Sequence, residues 1–121
     1  MLVKKMISRA GLIATFTSEK YNKIPVDGAE GLLRLLCFEP DQSVPLHRHP
    51  KADEYFFVIR GEAKVTLGSE ESDVESGCII KAKAGLPHKW KNGSERLVLL
   101  SILIPPSSYK SADEATEMEA I

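Results

Sequence analysis

The chain has 121 residues, of which 43% are hydrophobic, and this suits one domain with one core. The formal net charge of −1 gives no electrostatic reason to expect nucleic acid or an anionic membrane as a partner. No apolar run approaches the roughly 18 residues of a transmembrane helix, and Ser8 and Arg9 interrupt the N-terminal run before it reaches signal-peptide length. We therefore expect one soluble, cytoplasmic domain over residues 1–121.

The N-terminal third predicts short strands and a loop. Residues 1–7 and 12–17 have strand-like composition on either side of Gly11. Residues 19–30 contain proline, aspartate and glycine and predict a loop. Residues 32–38 form an apolar run that favours a buried strand, although periodicity alone leaves a helix open.

The remaining chain alternates short strands with turns. Residues 39–44 predict a turn, and the pair His47 and His49 lies on a short strand between Pro45 and Pro50. An acidic stretch at 70–75 predicts a solvated edge or loop, and Asn92-Gly93 is a hairpin signal. The tail 105–121 is rich in helix formers and predicts a short helix or a disordered segment. Further strands are predicted over residues 55–60, 63–67, 78–82, 88–92 and 96–104.

This pattern indicates an all-β fold. Many short strands separated by glycine and proline turns, with almost no helix, are typical of a sandwich or barrel. We divide the domain into N-terminal strands and loop (1–30), barrel core (31–104) and tail (105–121). Cys37 and Cys78 are too few for a disulfide framework, and we expect two inert core thiols in a reducing compartment.

The histidines suggest a metal site. On an extended strand His47 and His49 would point to the same face, and Glu54 opens the next strand. By alternation, Asp53 would face the opposite side and is the weaker candidate. With His88, the third histidine, these residues make a nitrogen and oxygen site for one divalent first-row transition metal.

Two sequence signatures resemble those of the cupin family. The first has Gly, five residues, His-any-His, three or four residues, Glu, six residues and Gly, which His47, His49, Glu54 and Gly61 match. Asp41 stands where its leading glycine is expected. The second has Gly, five residues, Pro-any-Gly, two residues, His, three residues and Asn. Its matches are Gly77, Gly85, His88 and Asn92, with Lys83 in place of the proline.

The resemblance implies a double-stranded β-helix, or jelly-roll barrel, with one metal ion held by His47, His49, Glu54 and His88. In this family the ion is usually iron or manganese, with nickel, zinc, copper and cobalt also found. The ligands do not distinguish Fe, Mn, Ni and Zn. Cupins include dioxygenases, decarboxylases, sugar isomerases and epimerases, and binding domains without activity.

Alternation predicts the walls of the pocket. Phe56 and Val58 share the face of Glu54, while Trp90 and Asn92 share that of His88. The opposite face of the strand that begins at Glu54 carries Tyr55, Phe57 and Ile59. That face is too apolar for water, so we predict that a second sheet or a partner subunit covers it, as in a homodimer. Candidate substrate anchors are Arg34, Tyr55, Lys81 and Lys83.

We expect a metal-dependent protein that binds or transforms a small polar metabolite by oxygenation, decarboxylation or isomerisation. The main alternative is a binding module that captures a sugar or carboxylate without turnover. A weaker alternative is an ion with a structural role only. The sequence does not identify the substrate.

Overall fold

The computed structural model describes residues 7–26 and 32–105, and within these ranges strands dominate. One short helix, α1 (Ala10–Ile13), precedes them. The strands are β1 (Asn22–Pro25), β2 (Leu33–Phe38), β3 (Ser43–His47), β4 (Asp53–Arg60), β5 (Glu62–Leu67), β6 (Glu70–Glu75), β7 (Ile79–Ala82), β8 (His88–Asn92) and β9 (Leu97–Ile104).

The strands form two antiparallel sheets. The larger has the order β1-β2-β9-β4-β7 and the smaller has the order β3-β8-β5-β6. Side chains from the inner faces of both sheets make the main core, with Phe38, Phe56, Val65 and Trp90 among its largest members. The predicted all-β, jelly-roll fold class is confirmed.

Burial alternates along the strands that carry the predicted site. In β4, Glu54, Phe56 and Val58 are buried, whereas Phe57 is exposed. In β8, His88, Trp90 and Asn92 are buried, and the two lysines between them are exposed. Each strand therefore directs one predicted set of side chains between the sheets.

The N-terminal region differs from the prediction. Ala10–Ile13 form a helix instead of the start of a strand, and residues 14–17 belong to no regular element. Residues 1–6, on which most of the first predicted strand falls, lie outside the described ranges, as do residues 106–121 of the tail. The predicted loop contains β1, a sheet-edge strand that tolerates proline at its last residue, Pro25.

One further prediction is confirmed and one needs correction. Of the two alternatives for the acidic stretch, the solvated edge is confirmed, because β6 lies at the edge of the smaller sheet with most of its side chains exposed. Asn92-Gly93 does not close a hairpin, because β8 lies in the smaller sheet and β9 in the larger. The Asn92 side chain stabilises that crossover, since its amide donates to the carbonyls of Glu39 (2.9 Å) and Glu95 (2.7 Å).

The outer face of the larger sheet is partly covered by the N-terminal segment. Leu35, Cys37 and Val98 form a second cluster there, against which Ile13 and Phe16 pack. Both cysteines are free thiols, and burial raises the pKa of Cys37. Among the described residues, no helix is long and apolar enough to cross a membrane.

Candidate metal centre

Four predicted ligand residues converge between the sheets. His47, His49, Glu54 and His88 each offer one ligand atom, and these atoms all lie within 4.8 Å of one another. His49, Glu54 and His88 are buried, while His47 is half-buried at the edge of the cluster. Residues that are distant in the sequence therefore present three imidazoles and one carboxylate to a single point.

A β-bulge in β3 aims His47 at this point. Val44 pairs with Trp90 and His47 with His88, so three steps along β3 oppose two steps along β8. Without the extra residue, alternation from the buried Val44 would turn His47 outward. The bulge reverses that direction and leaves Leu46 exposed to solvent.

His49 reaches the cluster from outside the strand. β3 ends at His47, so the prediction that both histidines share one regular strand is wrong. The His49 carbonyl accepts a hydrogen bond from the Gly85 amide (2.9 Å), which ties this turn to the one preceding β8. The rings of His47 and His49 nevertheless lie 5.2 Å apart, edge to face.

Backbone carbonyls orient two imidazoles of the cluster. The Nδ1 atom of His47 lies 2.8 Å from the Pro45 carbonyl, and Nδ1 of His88 lies 3.2 Å from the Leu86 carbonyl. A carbonyl only accepts, so Nδ1 is the donor in each pair and Nε2 is the ring nitrogen that faces the cluster. This is the orientation that a metal-binding histidine needs.

Glu54 uses its two oxygens differently. Its Oε2 accepts hydrogen bonds from Arg34 Nη2 (2.8 Å) and Ser101 Oγ (2.5 Å). Its Oε1 lies 3.0 Å from His49 Nε2 and 3.1 Å from His88 Nε2. Oε1 is therefore the oxygen that faces the histidines, and Oε2 is held from behind.

Charge in the cluster follows from these contacts. Burial alone would raise the pKa of Glu54, but hydrogen bonds from His49, His88 and Ser101 outweigh it and hold that pKa well below its usual range. Burial lowers the pKa of His47, and the neighbouring His88 and His49 add to this against the Pro45 hydrogen bond. The cluster thus favours an ionised carboxylate and a neutral His47, the forms that bind a cation.

The donor set and its spacing fit a transition-metal ion. Nitrogen and oxygen ligands about 2.1 Å from one ion and at right angles to each other lie about 3.0 Å apart. The two separations from Glu54 Oε1, 3.0 and 3.1 Å, match this spacing.

Comparison with known proteins places the chain in a family. A family model described as "Cupin domain" matches residues 34–103, which include all four ligand residues. The chain belongs to the cupin family.

In this cupin, Asp41 occupies the position of the first glycine in the family signature. Its φ of 67° is the left-handed backbone conformation that a glycine would adopt there.

Three similar proteins illustrate the relationship. An uncharacterized Streptomyces coelicolor protein is 39% identical over 56 residues, 46% of this chain and 53% of that protein. A Streptomyces cyaneus protein named polyketide synthase CurC is 28% identical over 102 residues, 81% of this chain and 65% of that protein. The matched regions thus cover about half to two thirds of these curated relatives.

The third is a solved structure. The crystal structure of TT1209 from Thermus thermophilus has a TM-score of 0.76 and 31% sequence identity. The match covers 82% of this chain and 96% of that one.

The cavity at the candidate metal centre of this cupin is small. It encloses about 20 Å³, which is room for an ion or one water molecule. Its least buried lining residues are Tyr21, Lys23 and His47, so these form its open side. The other lining residues are Arg34, Leu36, Val44, His49, Glu54, Phe56 and Trp90.

The residues predicted to line the pocket lie in two places. Phe56 and Trp90 border the cavity, and their rings meet edge to face at 5.1 Å. Val58 belongs to the main core between the sheets. Asn92 is buried at the β8–β9 crossover, where its amide bonds the backbone carbonyls described above.

Of the predicted anchors, Arg34 alone lines this cavity. Tyr55 and Lys81 pair on neighbouring strands of the larger sheet, with the ammonium 5.7 Å from the ring centroid, and Lys83 is exposed in a turn. Sequence reasoning missed Tyr21, Lys23 and Ser101. Their roles depend on strand pairing, such as Arg34 opposite Ser101, which no local motif encodes.

Proposed function

We propose that this cupin binds one divalent transition-metal ion through His47, His49, Glu54 and His88 and uses it to bind and transform a small polar metabolite. The reaction would be an oxygenation, a decarboxylation or an isomerisation. The observation that carries the proposal is the approach of two imidazole nitrogens to Glu54 Oε1 at 3.0 and 3.1 Å in a buried cluster. When bound, the ion would act as a Lewis acid on an oxygen of the metabolite.

The side chains around the ligands would keep the centre rigid and supply protons. Arg34 and Ser101 fix Glu54 through Oε2, so its other oxygen keeps its direction. At the open side, burial raises the pKa of Tyr21 and lowers the pKa of Lys23, with Arg34 adding to the latter effect. Lys23 would therefore release a proton more readily than a free lysine.

A relative supports the enzymatic form of this proposal. The Streptomyces cyaneus protein bears the name of an enzyme, polyketide synthase, and matches 81% of this chain. The imidazole and carboxylate ligands suit several ions, so iron, manganese, nickel and zinc all remain compatible with the proposal.

One observation favours a second function, a binding module without turnover. The cavity of about 20 Å³ is far smaller than the roughly 300–1,000 Å³ typical of metabolite pockets. A site of this size holds the ion and leaves a ligand to bind it from the open side. A purely structural ion is the third option, and chelation would then lower the melting temperature while no ligand bound.

The test compares metal-loaded protein, chelated protein and two variants. A ligand screen by thermal shift, followed by turnover assays on the hits, would use wild type, His47→Ala and the exposed neighbour Arg48→Ala. We expect ligand binding and any turnover in wild type and Arg48→Ala, with loss of both after chelation or in His47→Ala. Turnover by the metal-free protein would refute the proposal, and binding without turnover would favour the binding module.

A further inference from the structure

Two buried donors at the cavity lack an acceptor. Arg34 Nε and Trp90 Nε1 have no hydrogen-bond partner among the residues that the structure describes. Arg34 is 7% exposed and Trp90 is 1% exposed, so bulk water does not compensate for the missing acceptor. Buried N–H groups without a partner are rare because they are unfavourable. Both residues line the cavity of the metal centre.

The chemistry of these groups restricts the ligand. Arginine Nε–H and tryptophan Nε1–H donate hydrogen bonds and cannot accept them. The Lys23 ammonium at the open side is also a donor only. A neutral sugar or diol brings hydroxyl donors that these groups cannot satisfy, whereas a carboxylate brings acceptors alone.

Charge favours the same ligand class. Glu54 is the one carboxylate among the lining residues, and its Oε2 is already bonded to Arg34 and Ser101. Against this single negative charge stand the cationic side chains of Arg34 and Lys23. A divalent ion among neutral imidazoles would make the balance more positive still, which attracts an anion.

Size sets a further limit. The cavity encloses about 20 Å³, room for an ion or one water molecule, so a carboxylate that joins a bound ion extends toward the open side. An organic ligand of more than a few atoms would have to displace side chains at the open side, where Lys23 is exposed.

We infer that the site binds a small carboxylate anion whose oxygens accept hydrogen bonds from Arg34 Nε and Trp90 Nε1, with Lys23 closing the open side. This inference deepens the proposed function and depends on it only for the ion. The sequence alone allowed either a sugar or a carboxylate as the ligand, and this inference selects the carboxylate.

The experiment compares glycolate with glycolamide, its neutral counterpart with the same number of heavy atoms, by calorimetric titration of the metal-loaded protein. We expect glycolate to bind at least about tenfold more tightly, the size of one charged hydrogen bond. Trp90→Phe should weaken glycolate binding about tenfold, and Lys23→Gln about threefold because that side chain is exposed. Lys64→Gln, which removes an exposed lysine from β5, should leave both affinities unchanged.

Metal content measured on the same samples separates the two proposals. Metal-loaded protein that does not prefer glycolate overturns this inference and leaves the proposed function standing. Protein that retains no metal after loading but still prefers glycolate rejects the proposed function and supports this inference. A preference that survives both Trp90→Phe and Lys23→Gln contradicts the roles given to these residues and overturns the inference. If Trp90→Phe does not fold, unchanged glycolate affinity in Lys23→Gln overturns it instead.

Discussion

Ser101 helps to orient Glu54, one of the four candidate metal ligands. It is fully buried in β9, directly opposite Arg34 on β2, and both donate to Glu54 Oε2. Glu54 itself pairs with Leu103, so Ser101 reaches it diagonally across the β4–β9 ladder. Together these two donors leave Oε1 as the oxygen that faces the histidines.

We predict that Ser101→Ala weakens metal binding by about tenfold, because the carboxylate ligand loses one of two groups that orient it. The metal-free variant should lose about 1 kcal/mol of unfolding free energy. Ser72→Ala, on exposed β6, is the matched control and should change neither value. A competition titration with a chelator measures the affinity. Wild-type affinity in Ser101→Ala would contradict the orienting role.

The pKa of His47 predicts a pH dependence of stability in the metal-free protein. Burial lowers this pKa in the folded state, while an unfolded histidine titrates near about 6.5. The unfolded state therefore binds the proton more readily. The stability from a neutral His47 is complete above about pH 6.5 and is lost as the pH falls toward the depressed folded pKa.

Urea unfolding of chelated protein at pH 7.5 and pH 5 measures this effect. We expect the midpoint to fall with pH in wild type and to fall less in His47→Gln, which does not titrate. Glu54 contributes in the same direction only below about pH 4.3, so it does not interfere in this window. An equal fall in the two proteins would contradict the assigned effect.

At the scale of elements, local patterns predicted most of the strands that carry the site. Alternation from His88 and from Glu54 gave the buried faces of β8 and β4 correctly. The bulge between Val44 and His47 could not be predicted, because it depends on pairing with β8. β1 was missed since four residues ending in proline form a strand only against the long edge of β2.

Asp41 shows how a departure from the cupin signature is accommodated. Its φ of 67° is the left-handed conformation that glycine adopts freely and that aspartate tolerates better than most residues. Its amide donates to the Gly93 carbonyl (2.9 Å), and its carbonyl accepts from Lys91 Nζ (2.7 Å), so the turn is held at both groups.

We predict that Asp41→Gly leaves stability unchanged or raises it slightly, while Asp41→Val lowers it by about 1–2 kcal/mol. The reason is steric, since a β-branched side chain fits poorly at positive φ. Chemical denaturation of the three proteins measures the difference. A variant with valine as stable as wild type would show that this turn does not hold the left-handed conformation.

At the scale of the whole molecule, the N-terminal segment covers only part of the outer face of the larger sheet. The uncovered part of that face is apolar. Ile79 is 73% exposed and pairs with Phe57, which is 40% exposed. Ile102 and Ile104 on β9 extend this surface. Contiguous apolar patches of this kind are typical of protein interfaces.

We propose that a second copy of the chain covers this face. Light scattering at micromolar concentration should give twice the 13.4 kDa chain mass for wild type. Ile79→Lys should shift the protein to a monomer, because it places a charge in the interface. Leu46→Lys, at an exposed leucine on β3, should remain dimeric. A clean wild-type monomer would contradict the homodimer.

The central claim is that four side chains from separate parts of the fold hold one ion. Elemental analysis of the purified protein, after loading with iron, manganese, nickel or zinc and removal of excess metal, tests it most directly. We predict about one ion per chain for wild type, and loss of most of it in each of His47→Ala, His49→Ala, Glu54→Ala and His88→Ala. A folded wild-type protein that retains none of these metals, or variants that retain as much as wild type, would contradict the claim.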